Sequence, residues 1–198
     1  MNFYLIRNEK APWGDYGNVL LYGFISKESD KIILERVGPF IPDLYSYNKY
    51  IAFVDSLKPT IDNGNLKGID IVETIKTKIV ELNWQDWDRN EKIPQKPKSG
   101  EPEDFILKGK HNQELADKIN KIWVIVPKDT AKGLIDKEKK KMDEYDHISL
   151  DISNWNGDDI FRTPQLGHVF CTENFKLLVE SFSNSFLKFV PINIKNEL

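Results

Sequence analysis

A chain of 198 residues with 40% hydrophobic and 12% aromatic content can bury a substantial core, and it is too rich in both to be a disordered segment. Its 28 basic and 31 acidic side chains leave a formal charge of −3, which excludes nucleic-acid binding driven by bulk charge and fits a local acidic surface that receives a basic partner. Cys171 is the only cysteine, so no internal disulfide is available; no apolar run nears the ~18 residues of a membrane span, and with no signal-like run after Met1 the cytoplasm is the expected compartment.

The first third reads as strands separated by turns. Residues 3–6 and 18–25 are apolar runs suited to buried strands, and 32–37 to a third. Between the first two, residues 11–17 hold Pro12, Gly14 and Gly17 and have loop chemistry. Gly38-Pro39 and Pro42-Asp43 interrupt regular structure, and Asp62-Asn63-Gly64-Asn65 is a turn. Strands over 69–72 and 78–82 follow. Trp84 and Trp87, three apart, would share a face of a helical turn. Residues 92–104, with Pro94, Pro97, Gly100 and Pro102, form one long Pro-rich loop inserted in a single domain spanning 1–198.

In the second half, 113–120 fits a short helix, and Ile122-Trp123-Val124-Ile125-Val126 is the strongest strand signal, ended by Pro127. Residues 134–145 read as a lysine-rich surface helix, and 148–152 alternates as a half-buried strand does. A short strand over 168–171 leads to Thr172, whose hydroxyl is placed to cap a helix. Phe175, Leu178, Val179 and Phe182 then fall at i, i+3, i+4 and i+7, one apolar stripe. Residues 186–194 close the chain as a strand, with Pro191 marking an edge or a bulge. The expected fold is α+β: a mixed or mostly antiparallel sheet packed with a few helices, ending in a strand–helix–strand unit.

Chemistry-bearing motifs are sparse. Cys171 lies in an apolar run and His168, three positions before it, would face the other side of a strand, so the thiol reads as structural. His147 with Asp143, Asp146 and Asp151 is the one cluster for a metal, but without ligand spacing it reads as a solvated acidic turn. Asp86-Trp87-Asp88 offers paired carboxylates without a specific pattern, and Lys137-Glu138-Lys139-Lys140-Lys141 reads as a solvated face. Phosphate-cradling glycine motifs and a Gly-x-Ser-x-Gly elbow are absent. No catalytic residue, metal or cofactor is expected. The alternatives left open are a metal-dependent hydrolase or nuclease using Asp86, Asp88 or His147, and a non-catalytic adaptor.

From 142 to 161 there is no Lys or Arg, while Asp143, Glu144, Asp146, Asp151, Asp158 and Asp159 surround Tyr145 and Trp155. Acidic charge that steers encounter, with an aromatic anchor, suits docking to a basic protein. The bland alternative is an acidic loop with a core Trp. Trp84, Asp86, Trp87 and Asp88 make a second candidate patch.

Asp159-Ile160-Phe161-Arg162, Val169-Phe170-Cys171-Thr172-Glu173-Asn174-Phe175 and Leu187-Lys188-Phe189-Val190-Pro191-Ile192 resemble a family of bacterial immunity proteins. In that family an Asp-Ile/Leu-Phe segment precedes a strand, a helix and a closing strand ending in Phe-x-Pro-x. The Phe3-Tyr4-Leu5-Ile6 start is compatible with it. The resemblance covers about the last forty residues, and its motifs are packing motifs. It implies a cytoplasmic inhibitor that protects its producer by binding a cognate toxin of a polymorphic toxin system, a nuclease or another cell-killing enzyme, with no catalytic residues to carry over.

Overall fold

The structure, a computed structural model, describes residues 1–11, 13–82, 98–138, 145–183 and 185–195. Among them the chain order is β1 (Phe3–Asn8), α1 (Asp15–Tyr22), β2 (Phe24–Glu28), β3 (Lys31–Gly38), β4 (Leu44–Tyr47) and β5 (Tyr50–Val54). A 3-10 turn (Asp55–Leu57) leads into α2 (Lys58–Asn63), then β6 (Asp70–Glu81), α3 (Asp104–Leu107), α4 (Gln113–Lys118), β7 (Ile122–Val126), β8 (Lys128–Asp129) and β9 (Lys132–Ile135). The chain ends with β10 (Ile148–Asp151), β11 (Ile160–Arg162), β12 (Val169–Thr172), α5 (Glu173–Glu180) and β13 (Leu187–Ile194). This is an α+β fold that closes on strand, helix and strand. No helix of the described residues is long and apolar enough to cross a membrane.

Two mixed sheets form. The first has the order β8-β11-β12-β1-β13-β10-β9, the second β2-β3-β6-β7-β5-β4. Laid flat, a seven-stranded sheet would hold its edges about 29 Å apart. Yet only Thr130 and Ala131 separate edge strands β8 and β9, a link that reaches no further than about 11 Å. The first sheet therefore curls nearly shut. The second curls too: Phe24 of edge strand β2 and Tyr47 of edge strand β4 bring their rings to 6.4 Å.

Curling gives three cores, and side chains alternate between them. In β1, Phe3 and Leu5 point into the first sheet's concavity, with Ile148, Leu150, Phe161, Phe170 and Ile192. Tyr4 and Ile6 point outward, into a cluster shared by both sheets with Ile51, Phe53, Ile125, Cys171, Phe175 and Val179. Tyr50, Ala52, Ile122 and Val124 face the second concavity, which α1 fills with Val19, Leu20, Leu21 and Tyr22. Strands buried on both faces explain the unbroken apolar runs of the sequence.

Several sequence expectations are corrected. Residues 18–22 belong to α1 rather than a strand: Val19, Leu20, Leu21 and Tyr22 are all buried, and four consecutive apolar residues carry no helical period. β4, β5 and α2 were not foreseen, and the strands expected at 69–72 and 78–82 are one twelve-residue strand, β6. Leu134 and Ile135 lie in β9, not in a surface helix. β10 is buried along all four residues rather than on one face. The expected loop of 92–104 ends where α3 begins, and its residues 92–97 lie outside those described. Pro191 is exposed and pairs with Tyr4 of β1, while β10 joins β13 only at Asn193 and Ile194, so the proline occupies a locally open edge as expected.

One buried cation organises the second sheet. Arg36 is fully buried, and its guanidinium donates to the carbonyls of Val37 (3.0 Å), Leu21 (3.0 Å) and Phe40 (2.8 Å) and to the Tyr45 hydroxyl (3.3 Å). The Leu21 carbonyl is in the last turn of α1, where a positive group meets the negative end of the helix dipole. Gly23 makes the approach possible: a Cβ there would stand 2.5 Å from Arg36 Cβ, and its φ of +58° suits glycine.

Candidate functional site

The acidic stretch does not form one face. Asp143 and Glu144 lie outside the described residues, as do Trp84, Asp86, Trp87 and Asp88 of the second patch. Asp146 is exposed, but Asp151, Asp158 and Asp159 are 5%, 5% and 3% exposed. Asp151 Oδ1 accepts from the Ser153 N–H at 2.9 Å; hydrogen bonds from the Ser153 backbone and then its hydroxyl hold this carboxyl below its ordinary range, with Lys132 adding attraction.

Asp159 is a crosslink. Its Oδ2 accepts from the Lys67 N–H at 2.8 Å and its Oδ1 accepts from the Thr172 hydroxyl. Its own N–H donates to Lys67 O at 2.9 Å, and its carbonyl accepts from the Thr172 N–H at 3.0 Å. The Thr172 hydroxyl thus serves Asp159 and makes no cap on α5, contrary to the sequence expectation. Asp158 lies so close to Gly68 that a Cβ on that glycine would be 1.8 Å from Asp158 Oδ1.

The aromatic members also turn inward. Trp155 meets Phe3 edge-on at 5.1 Å and Phe161 at 6.1 Å, and its Nε1 donates to Asp158 O at 3.1 Å. Tyr145 packs on the same core, with the Arg7 guanidinium 5.4 Å from its ring centroid. Residues 145–161 pack over the first sheet's inner core through Tyr145, Ile152 and Trp155. Of the described carboxylates in the expected acidic face, Asp151, Asp158 and Asp159 are buried and Asp146 is the one left exposed.

The concave feature lies elsewhere. A groove of about 970 Å³ is lined by the end of β1 and the turn after it (Arg7, Asn8, Lys10), by α1 (Asp15, Asn18, Tyr22), by the β4–β5 hairpin (Tyr47, Asn48) and by Gly167 and His168 before β12. Asn8 fixes two of these walls together: its Nδ2 donates to Ser46 O and its Oδ1 accepts from the Ser46 N–H, both at 2.7 Å. An amide side chain here takes the place of a neighbouring strand on β4. The Tyr22 hydroxyl donates to Glu9 O at 3.0 Å, joining α1 to the same turn.

Arg7 and Lys10 bring positive charge to the groove; Glu9, Asp15 and Glu103 bring negative charge. His168 is half-buried, and burial, then the fields of Arg7 and His147, hold its imidazole below the ordinary 6.5, so it is neutral at pH 7. Such a lining suits hydrogen bonding and ion pairing with a polar surface. Cys171 is remote from it, in the core between the sheets; burial pushes its thiol well above the ordinary range, with the field of Asp159 adding to the effect. Among the described residues the buried His147 Nδ1 has no hydrogen-bond partner, and no three His, Cys, Asp or Glu side chains are grouped to hold a metal.

Of the groove's polar residues, the sequence singled out His168 alone. The turn chemistry of 11–17 marked one wall, but the other walls come from distant segments that only the curled sheets bring together. Compared with family models, with curated proteins and with solved structures, the chain matches none.

Proposed function

We propose that this chain is an immunity protein that binds a cognate bacterial toxin in the cytoplasm of the producing cell and neutralises it by occupancy, without turnover. The groove carries the proposal: about 970 Å³ between the two sheets, with charges of both signs on walls drawn from several segments. That volume admits several side chains of a protein partner. The segments that resemble immunity proteins lend support of a second kind. They fold as β11, β12, α5 and β13 around β1, and this unit contributes Arg7 and His168 to the groove.

Co-expression with the toxin domain encoded in the neighbouring reading frame should restore growth, and the purified pair should form a complex of fixed stoichiometry in calorimetry. Lys10→Glu should change the association rate by about tenfold at low salt, an effect that fades as salt rises. Growth arrest despite abundant folded chain, with no heat of binding, would refute the proposal.

A further inference from the structure

A second, smaller cavity of about 490 Å³ lies between edge strand β2 and the tip of the β4–β5 hairpin. Ser26 and Lys27 form one side, Asn48, Lys49 and Tyr50 the other, and Gly167 adjoins both. Its charged lining is positive throughout: Lys27 and Lys49, with no carboxylate among the lining residues. The Lys49 ammonium stands 5.4 Å from the centroid of the Tyr50 ring.

Tyr50 is the unusual member. It is 2% exposed, and its hydroxyl is buried without a hydrogen-bond partner among the described residues. Buried hydroxyls are nearly always paired, so an orphan on a residue that lines a cavity points to a missing acceptor. Burial raises the phenol above its ordinary value, while Lys27 and Arg162 pull it down through their charge. It is a neutral donor in a positive field. Arg162 is itself engaged, in a bidentate pair with Asp129 at 2.8 Å.

We infer that this notch is a carboxylate receptor: it takes an Asp or Glu side chain of the partner protein, Lys27 and Lys49 neutralising the charge and the Tyr50 hydroxyl donating to one oxygen. The anion is carried by a protein because the notch adjoins the larger groove, with Asn48 and Gly167 lining both cavities. Only this source of the carboxylate rests on the binding function proposed above; the anion site itself does not.

The test uses the intact chain, titrated at constant ionic strength with a capped Gly-Glu-Gly peptide and, separately, with inorganic phosphate, and read from the backbone amide resonances of Asn48, residue 49 and Gly167, which every variant retains. Saturable shifts with the peptide are expected, at least tenfold weaker in Lys27→Gln/Lys49→Gln. Tyr50→Phe should bind several-fold more weakly while melting no lower than wild type, since it removes an unpaired hydroxyl. Shifts that do not saturate, or that persist unchanged in the double variant, would overturn the site. Phosphate binding tenfold tighter than the peptide would overturn the side-chain source in favour of a free-phosphate site. Because neither titration involves a toxin, failed growth rescue with an intact notch counts against the proposed function alone.

Discussion

Replacing Asp159 with Ala removes two acceptors at once, one from the Lys67 N–H at 2.8 Å and one from the Thr172 hydroxyl. Hydrogen bonds to a charged group contribute about 1.5–3 kcal/mol each, and stranding a buried donor adds its desolvation cost. Thr172 is 2% exposed, so its hydroxyl has no route to water, whereas exposed Lys67 can rehydrate its N–H in part. The expected loss is about 3–5 kcal/mol. For a chain of this size each kcal/mol lowers the melting temperature by about 2–4 °C, so a fall of roughly 6–20 °C follows. Urea unfolding followed by circular dichroism measures it, and Thr172→Val completes a double-mutant cycle with an expected coupling of about 1–2 kcal/mol. A loss below about 0.5 kcal/mol, or strict additivity with Thr172→Val, would refute the crosslink. Charge reversal at Asp158 and Asp159 is therefore expected to report on folding before it reports on any partner.

Arg36→Met keeps an apolar stem but strands the carbonyls of Leu21, Val37 and Phe40, and should cost at least about 3 kcal/mol in the same urea assay. Gly23→Ala places a methyl 2.5 Å from Arg36 Cβ and 2.6 Å from Glu35 O at a φ of +58°, for an expected loss of about 2–4 kcal/mol and a lower melting temperature. Cys171 should resist Ellman's reagent in the native protein and react at once in denaturant, because burial keeps the thiol protonated. The same burial sets a pH dependence. The folded thiol lies above its ordinary value of 9.0, so its contribution is full below about pH 9 and is lost as pH rises toward the folded value. Cys171→Ala should flatten the fall of stability between about pH 8.5 and 10.5, with the Tyr16 phenol, pushed up to about 12 by burial, unchanged in both proteins. Equal slopes would show that the thiol is not the titrating group.

Local pattern made some elements legible. Residues 122–126 are β-branched, apolar and ended by Pro127, and they form β7 with those bounds. Phe175 and Val179, four apart, are the buried residues of α5, as their helical spacing requires. Residues 18–22 misled because the second sheet buries Val19, Leu20, Leu21 and Tyr22 alike, leaving an unbroken apolar run where amphipathic spacing would have betrayed a helix.

The sequence by itself settled the α+β class, the closing strand–helix–strand unit and the positions of β1, β3, β7, β10, β12 and β13, since these follow from propensity and periodicity over a few neighbouring residues. Which way a polar side chain turns was decided only by the tertiary structure. An aspartate in an acidic run looks solvated until a donor meets it, and the donor for Asp159 is the backbone of Lys67, ninety-two residues away in the chain. The groove has the same origin. Arg7, Asp15, Asn48 and His168 share one hollow because two sheets curl and abut, a long-range packing outcome that local pattern does not encode.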